Sequence, residues 1–186
     1  RAKLINYAIA AFAMCFYCES SINPAQIYTL REKELSDYKP SIKGFKVTII
    51  KPRAGYKATN LLVSVKILPL INEYKEFRDW ILSLVSNNKI DKMFLSLDTR
   101  PKTYNSFENI ETYSGKDTVN YRRWLSLYMP KFGWINPPVI RKTASNFILT
   151  VTNSASAASQ KLGNTPKVVI KHYSEVTDKQ HSEQLT

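Results

Sequence analysis

Helix-stopping signals divide residues 136–173 into three short segments, and this punctuation constrains the fold more than any other feature of the sequence. Asn136-Pro137 is set to start a helix running from about Pro138 to Thr152, since a proline fits the first turn, where its missing N–H is not needed. Asn153-Ser154 breaks that helix, SASAASQKL continues as another, and Gly163 follows as the left-handed residue that ends it. Thr165-Pro166 restarts a short amphipathic helix that delivers Tyr173 close to the end of the sequence. The pattern raises the question of what a tyrosine does there.

Upstream, Leu4, Ala8 and Phe12, with Ile5, Ile9 and Phe16 beside them, recur at helical spacing, so residues from about 3 to 18 read as a buried helix. The apolar run Leu4 to Cys18 is interrupted by Asn6 and is too short to span a bilayer. It also lacks a signal-peptide cleavage pattern, so the expectation is a cytoplasmic protein without a membrane partner. Cys15 and Cys18 form a CxxC with no second pair to complete a metal site, and inside an apolar helical pattern they read as packing residues. A second helix opens in SINPAQIYTL, where Asn23 caps, Pro24 takes the first position and Gln26 completes a capping box.

Residues Lys43 to Ile67 hold two β-rich runs around the tip Pro52-Arg53-Ala54-Gly55-Tyr56-Lys57, which reads as a hairpin. Lys51, Arg53 and Lys57 put three cations at that tip. After Pro69, Leu70, Ile71, Tyr74, Phe77, Ile81 and Leu84 share one helical face opposite Glu73, Lys75, Glu76 and Asp79. Met93 to Leu97 is a short strand or buried turn, Asp98 to Asp117 a mobile loop, and Thr118 to Met129 a helix carrying Arg122 and Arg123. The whole reads as one mostly helical α+β domain with a small antiparallel sheet. Its 186 residues carry a formal net charge of +12, spread over loops and helices, which points to a polyanion partner, nucleic acid before membrane.

The segments VIRKTASNFIL and LGNTPKVVIKHY together resemble the C-terminal half of the catalytic domain of tyrosine recombinases, the phage-integrase family. In that family an Arg-His-Thr or Arg-Lys-Thr helix start precedes a helix ending in Leu-Gly-His, and a short helix then bears a nucleophilic tyrosine. Arg141-Lys142-Thr143, Leu162-Gly163-Asn164 and Tyr173 fall in that order, with Tyr173 placed 32 residues after Arg141 and nine after Asn164. The likeness continues upstream: SSINPAQIYTL matches the placement of the family's first arginine motif, and KPRAGYK the hairpin tip that holds its catalytic lysine. It covers nearly all 186 residues, and the DNA-gripping N-terminal domain usual in the family is expected to lie outside this sequence.

The resemblance implies that Tyr173 attacks a DNA phosphodiester, forming a 3′-phosphotyrosyl link, with no metal or other cofactor. It implies a catalytic set of Tyr173, Arg141, Arg53 and Asn164, and DNA contacts by Lys51, Lys57, Arg122, Arg123 and Lys142. Partners would be double-stranded DNA and either further copies of this chain or an active recombinase, in a mobile-element integrase. The tail after Tyr173 would pack on a neighbouring protomer. The match has gaps: Asn23 stands where the first catalytic arginine belongs, Pro138 at the histidine of His-x-x-Arg, Asn164 at a histidine or tryptophan, and Arg53 at the hairpin lysine. An arginine is a poor proton donor, so Lys51 or Lys57 stands as an alternative acid. Arg141 has a second reading, as a cap or ion-pair partner of adjacent helices, and Asn23 is fully explained as a helix cap. A DNA-binding subunit without catalysis and a non-DNA interaction domain remain the rival readings of the whole chain.

Overall fold

The computed structural model describes residues 2–41, 44–51, 55, 57–85, 90–98 and 110–173. The fold is a mostly helical α+β domain with a small antiparallel sheet. Helix α1 spans Ala2–Ser20 and buries Ile9, Ala10, Ala13, Phe16, Tyr17 and Ser20, spaced as one face of a 3.6-residue period. Two sequence expectations fail on it. Leu4 is 64% exposed, and Cys15 and Cys18 lie on the exposed side as free thiols rather than in the core. Partial burial nevertheless raises both thiol pKa values above the ordinary one, the opposite of what a reactive thiolate needs. Asn6, which interrupts the apolar run, acts as a piece of strand: its side-chain amide donates to the Leu97 carbonyl at 2.8 Å and accepts from the Leu97 N–H at 2.7 Å.

Helix α2 covers only Pro24–Ile27, with the predicted capping box: Ala25 N–H donates to Asn23 Oδ1 at 2.9 Å, and Asn23 N–H to Gln26 Oε1 at 3.2 Å. It ends early because residues 30–32 turn aside to pair with residues 91–93. Met93 N–H donates to the Leu30 carbonyl at 2.8 Å, and Glu32 N–H to that of Asp91 at 2.9 Å. Helix α3 follows at Glu32–Ser36. Strands β1 (Lys39–Ser41), β2 (Gly44–Lys51) and β3 (Lys57–Val63) form an antiparallel sheet in that order, and β2 and β3 are the expected hairpin. The register pairs Phe45 with Val63 and Lys51 with Lys57, so Phe45, Val47 and Ile49 face the core together with Leu61 and Val63. Gly44 is required at the start of the central strand: at φ +146° a Cβ would stand 2.2 Å from the Val63 carbonyl oxygen.

Helix α4 (Leu68–Ser83) buries Ile71, Tyr74 and Ile81 as its pattern predicts, although Leu84, beyond its end, is 40% exposed. It also buries Arg78, whose guanidinium donates to the carbonyls of Ile90 at 2.7 Å and Lys92 at 3.0 Å. Strands β4 (Leu95–Leu97) and β5 (Ile110–Thr112) pair antiparallel. The second of these lies within the stretch expected to be a loop, whose residues 99–109 fall outside the described set. Helix α5 (Gly115–Tyr128) starts three residues before the expected Thr118, because Ser114 and Asp117 form a capping box. Helices α6 (Pro137–Thr152), α7 (Ala155–Leu162) and α8 (Pro166–Tyr173) match the sequence punctuation. Asn153 and Gly163 close the first two in left-handed conformations, at φ 45° and 59°. The main core gathers the buried faces of α1, α4, the hairpin and β4, while a smaller cluster of Ala158, Leu162 and Val169 sits among α6–α8.

Candidate active site

Arg141 organises the site. It projects from the second turn of α6, is 6% exposed, and donates from Nη1 to the Ser21 carbonyl and from Nη2 to the Leu162 carbonyl at 2.7 Å. Ser21 lies two residues before Asn23, and Leu162 two residues before Asn164. One guanidinium therefore ties together three of the places singled out in the sequence: the start of α2, the start of α6 and the stop at the end of α7. Both bonds are charge-assisted, worth about 1.5–3 kcal/mol each when buried.

The turn that Arg141 grips is itself constrained. Ser21 is a buried, non-glycine residue at φ 52°, a left-handed conformation that costs a β-carbon-bearing residue on the order of 1 kcal/mol. Its N–H donates to the Tyr17 carbonyl at 2.8 Å, closing the end of α1. Asn23 forms the N-cap of α2, so its neutral side chain is already engaged with the backbone.

The end of α7 packs directly on the hairpin. A Cβ on Gly163 would meet the Thr59 methyl at 3.0 Å and the Asn60 carbonyl oxygen at 3.4 Å. Asn164 follows, half-buried, with its N–H donating to the Ser159 carbonyl at 2.9 Å. Helix α8 begins two residues later and ends at Tyr173, whose side chain lies outside the described residues. At the hairpin end, the Lys51–Lys57 pair is the last of the ladder. Arg53 and the side chains of Lys51 and Lys57 likewise lie outside the described set. Lys142 and Pro138 are exposed on α6, and Arg122 and Arg123 are exposed on α5.

Beside these residues stands Lys161, which no sequence motif singles out. It lies on α7 next to Leu162, and its ammonium donates to the Glu19 carbonyl at 2.6 Å and to that of Leu62 at 3.3 Å. Burial lowers its pKa from the ordinary lysine value, with the Glu19 carboxylate opposing that shift. Arg141 and Lys161 thus place two cations on the carbonyls of Ser21 and Glu19, at the negative end of the α1 dipole. Helix α1 has no basic residue in its own last turn, so its C-terminus is complemented from 120 and 142 residues away. A charge-to-carbonyl contact leaves no sequence signature, because every residue has a carbonyl.

Among the described residues no group of three or more His, Cys, Asp or Glu side chains could hold a metal, and no helix is long and apolar enough to cross a membrane. No family model and no curated protein matches the sequence. Solved structures do match the fold. XerA recombinase matches over 98% of this chain with a TM-score of 0.57 and 12% identity. XerH site-specific recombinase bound to difH substrate in a pre-cleavage complex matches over 98%, with a TM-score of 0.58 and 12% identity. Its post-cleavage complex on palindromic difH matches over the full chain, with a TM-score of 0.55 and 13% identity. The chain has the tyrosine-recombinase fold. It spans 62% of the XerA chain and 47% and 48% of the two XerH chains. Within the tyrosine-recombinase fold, this chain has Asn23 as a helix cap at the start of α2 and a partly buried lysine, Lys161, on α7.

Proposed function

We propose that this chain is the catalytic part of a site-specific DNA recombinase or mobile-element integrase, with Tyr173 as its nucleophile. The observation that carries the reading is the Arg141 guanidinium, which joins the α1–α2 turn to the stop that precedes α8. In this reading the Tyr173 hydroxyl loses its proton and its oxygen attacks the phosphorus of a DNA phosphodiester. The new O–P bond is a 3′-phosphotyrosyl link, the P–O5′ bond breaks, and the 5′ oxygen takes up a proton. A 5′ hydroxyl from another strand later reverses the step, so bond energy is conserved and no cofactor is consumed. Arg141 supplies positive charge to the non-bridging oxygens and Asn164 an amide donor. The leaving oxygen's proton comes from the hairpin tip, where Lys51 and Lys57 flank Arg53. Lys142, Arg122 and Arg123 contact the DNA backbone, consistent with the net charge of +12. The protein works as copies assembled on DNA, each spending its tail on a neighbour.

A second reading has its own support. Asn23 is committed to a cap and Arg141 bonds to two carbonyls, an arrangement that suits a DNA-holding accessory subunit without strand cleavage. Loss of one preorganised donor to a developing oxyanion costs on the order of 100- to 1000-fold in rate. The deciding experiment presents the full-length protein with its element-end DNA on a nicked substrate that traps a covalent product. An adduct resistant to denaturant, lost in Tyr173→Phe, establishes the recombinase. Salt-sensitive binding without any adduct establishes the accessory role.

A further inference from the structure

Lys161 is an unusual residue for its surroundings. It stands between Ala158 and Leu162, members of the small apolar cluster of α6–α8, where an apolar side chain would pack without desolvating a charge. Its ammonium instead reaches two carbonyls on two other elements, Glu19 at the end of α1 and Leu62 near the end of β3. Helix α1 leads into the α1–α2 turn and α7 into Asn164 and α8, whereas Leu62 lies at the end of β3 away from the hairpin tip, where Lys57 begins the strand. Lys161 therefore links the turn that carries Asn23 to the stop that precedes α8, and ties both to the base of the β2–β3 sheet. The next residue along, Leu162, gives Arg141 one of its acceptors, and Ser21, two residues from Glu19, gives the other. Two cations thus interlock: each bonds to the α1 end, and one sits on the backbone that holds the other.

We infer that Lys161 is a positioning residue for phosphate: it fixes the plane of the Arg141 guanidinium and supplies the second positive charge that Asn23 does not. The inference deepens the recombinase reading and rests on it for the identity of the anion, a phosphodiester. It does not require that the bond be cleaved. The bonds of Arg141 to the Ser21 and Leu162 carbonyls orient its guanidinium. The Lys161 bonds hold those two carbonyls at a fixed separation by tying α7 to α1. Without them, the guanidinium follows whichever of the two elements moves.

The test titrates inorganic phosphate into the full-length protein and follows the Arg141 Nε–H signal by NMR, with thermal melting recorded for every variant. The expected result is a phosphate-dependent shift in the wild type, at least tenfold weaker in Lys161→Met, with faster hydrogen exchange at Arg141. Lys161→Arg, which keeps charge and donors, restores the response to within threefold. Should Lys161→Met fail to fold, Lys161→Gln, a neutral donor, is expected to melt near the wild type yet keep the weak phosphate response. An unchanged response in a folded neutral variant overturns the inference, as does a wild-type Arg141 signal indifferent to phosphate. Covalent trapping on nicked DNA is run in parallel. A phosphate response with the expected Lys161 dependence but no Tyr173 adduct defeats the cleavage reading and leaves this one standing.

Discussion

The described residues of 2–128 and those of 137–173 are held in place by different physics. The first region closes on a core whose largest fully buried members include Tyr17, Tyr74, Tyr113 and Phe16, and Phe16 and Tyr74 both pack against Phe94. The second buries Ala158, Leu162 and Val169 as its own cluster and lends Ile140 to the main core. Its fastening to the rest of the molecule includes Arg141 and Lys161 on the carbonyls of Ser21, Glu19 and Leu62. Apolar burial is non-directional and tolerates small shifts, whereas a cation between carbonyls fixes distance and angle. Helices α6 and α7 are thus fastened partly by geometry-demanding bonds, α8 with the proposed nucleophile packs on them through Val169, and the platform beneath is held by bulk.

The contrast can be broken by mutation. Phe16→Ala has the largest expected effect, a loss of about 3–5 kcal/mol in chemical denaturation, because a cavity opens in the main core. Arg141→Met comes next, at about 3 kcal/mol, since two buried carbonyls lose charged donors. Hydrogen exchange separates the two: amides of α6–α8 should lose protection in Arg141→Met while those of α1 and α4 keep theirs. Equal loss in both regions would dissolve the distinction. Gly163→Ala should cost about 1–2 kcal/mol, from its left-handed backbone at φ 59° and the nearby Thr59 methyl, again read mainly in α7 and α8. The smallest effect is a pH dependence. Lys161 has a lowered pKa in the folded state, so between that value and the unfolded lysine pKa of about 10.4 the unfolded chain binds more protons, and stability rises with pH. Denaturation midpoints across that window should climb less in Lys161→Met than in the wild type, and parallel curves would place the titration elsewhere.

The sequence made the local events legible. The Asn23 cap, the hairpin pairing, and the stops at Asn153 and Gly163 are each decided by a few adjacent residues, and all appear as read. Long apolar periodicity was legible too, though not its edges, since Leu4 and Leu84 obey the spacing yet lie beyond the reach of the core. Strand β5 escaped notice because three residues, Ile110–Thr112, are too few to alternate, and it exists through its pairing with β4. Of the polar fasteners only Arg141 was legible, through its second reading as a cap of adjacent helices, and even there the partners were not. Asn6, Arg78, Arg141 and Lys161 each bond to backbone carbonyls distant in sequence, and such partners have no side-chain identity to search for. For the same reason the order and spacing of Arg141, Gly163 and Tyr173 gave the fold, while the company Arg141 keeps had to be seen.

The capping of α1 from so far along the chain has a consequence for how the protein is made. A ribosome adding about 5–20 residues per second finishes α1 on the order of ten seconds before Arg141 and Lys161 emerge. Until then the end of α1 lacks both cations, and the Ser21 turn lacks the bond that holds it in its left-handed shape. The platform can condense early around its aromatic core, but the grip on the turn beside Asn23 waits for α6 and α7. A nascent chain that stalls before α7 would carry the scaffold without the assembled site, so the candidate site matures in one late step, when α6 and α7 arrive.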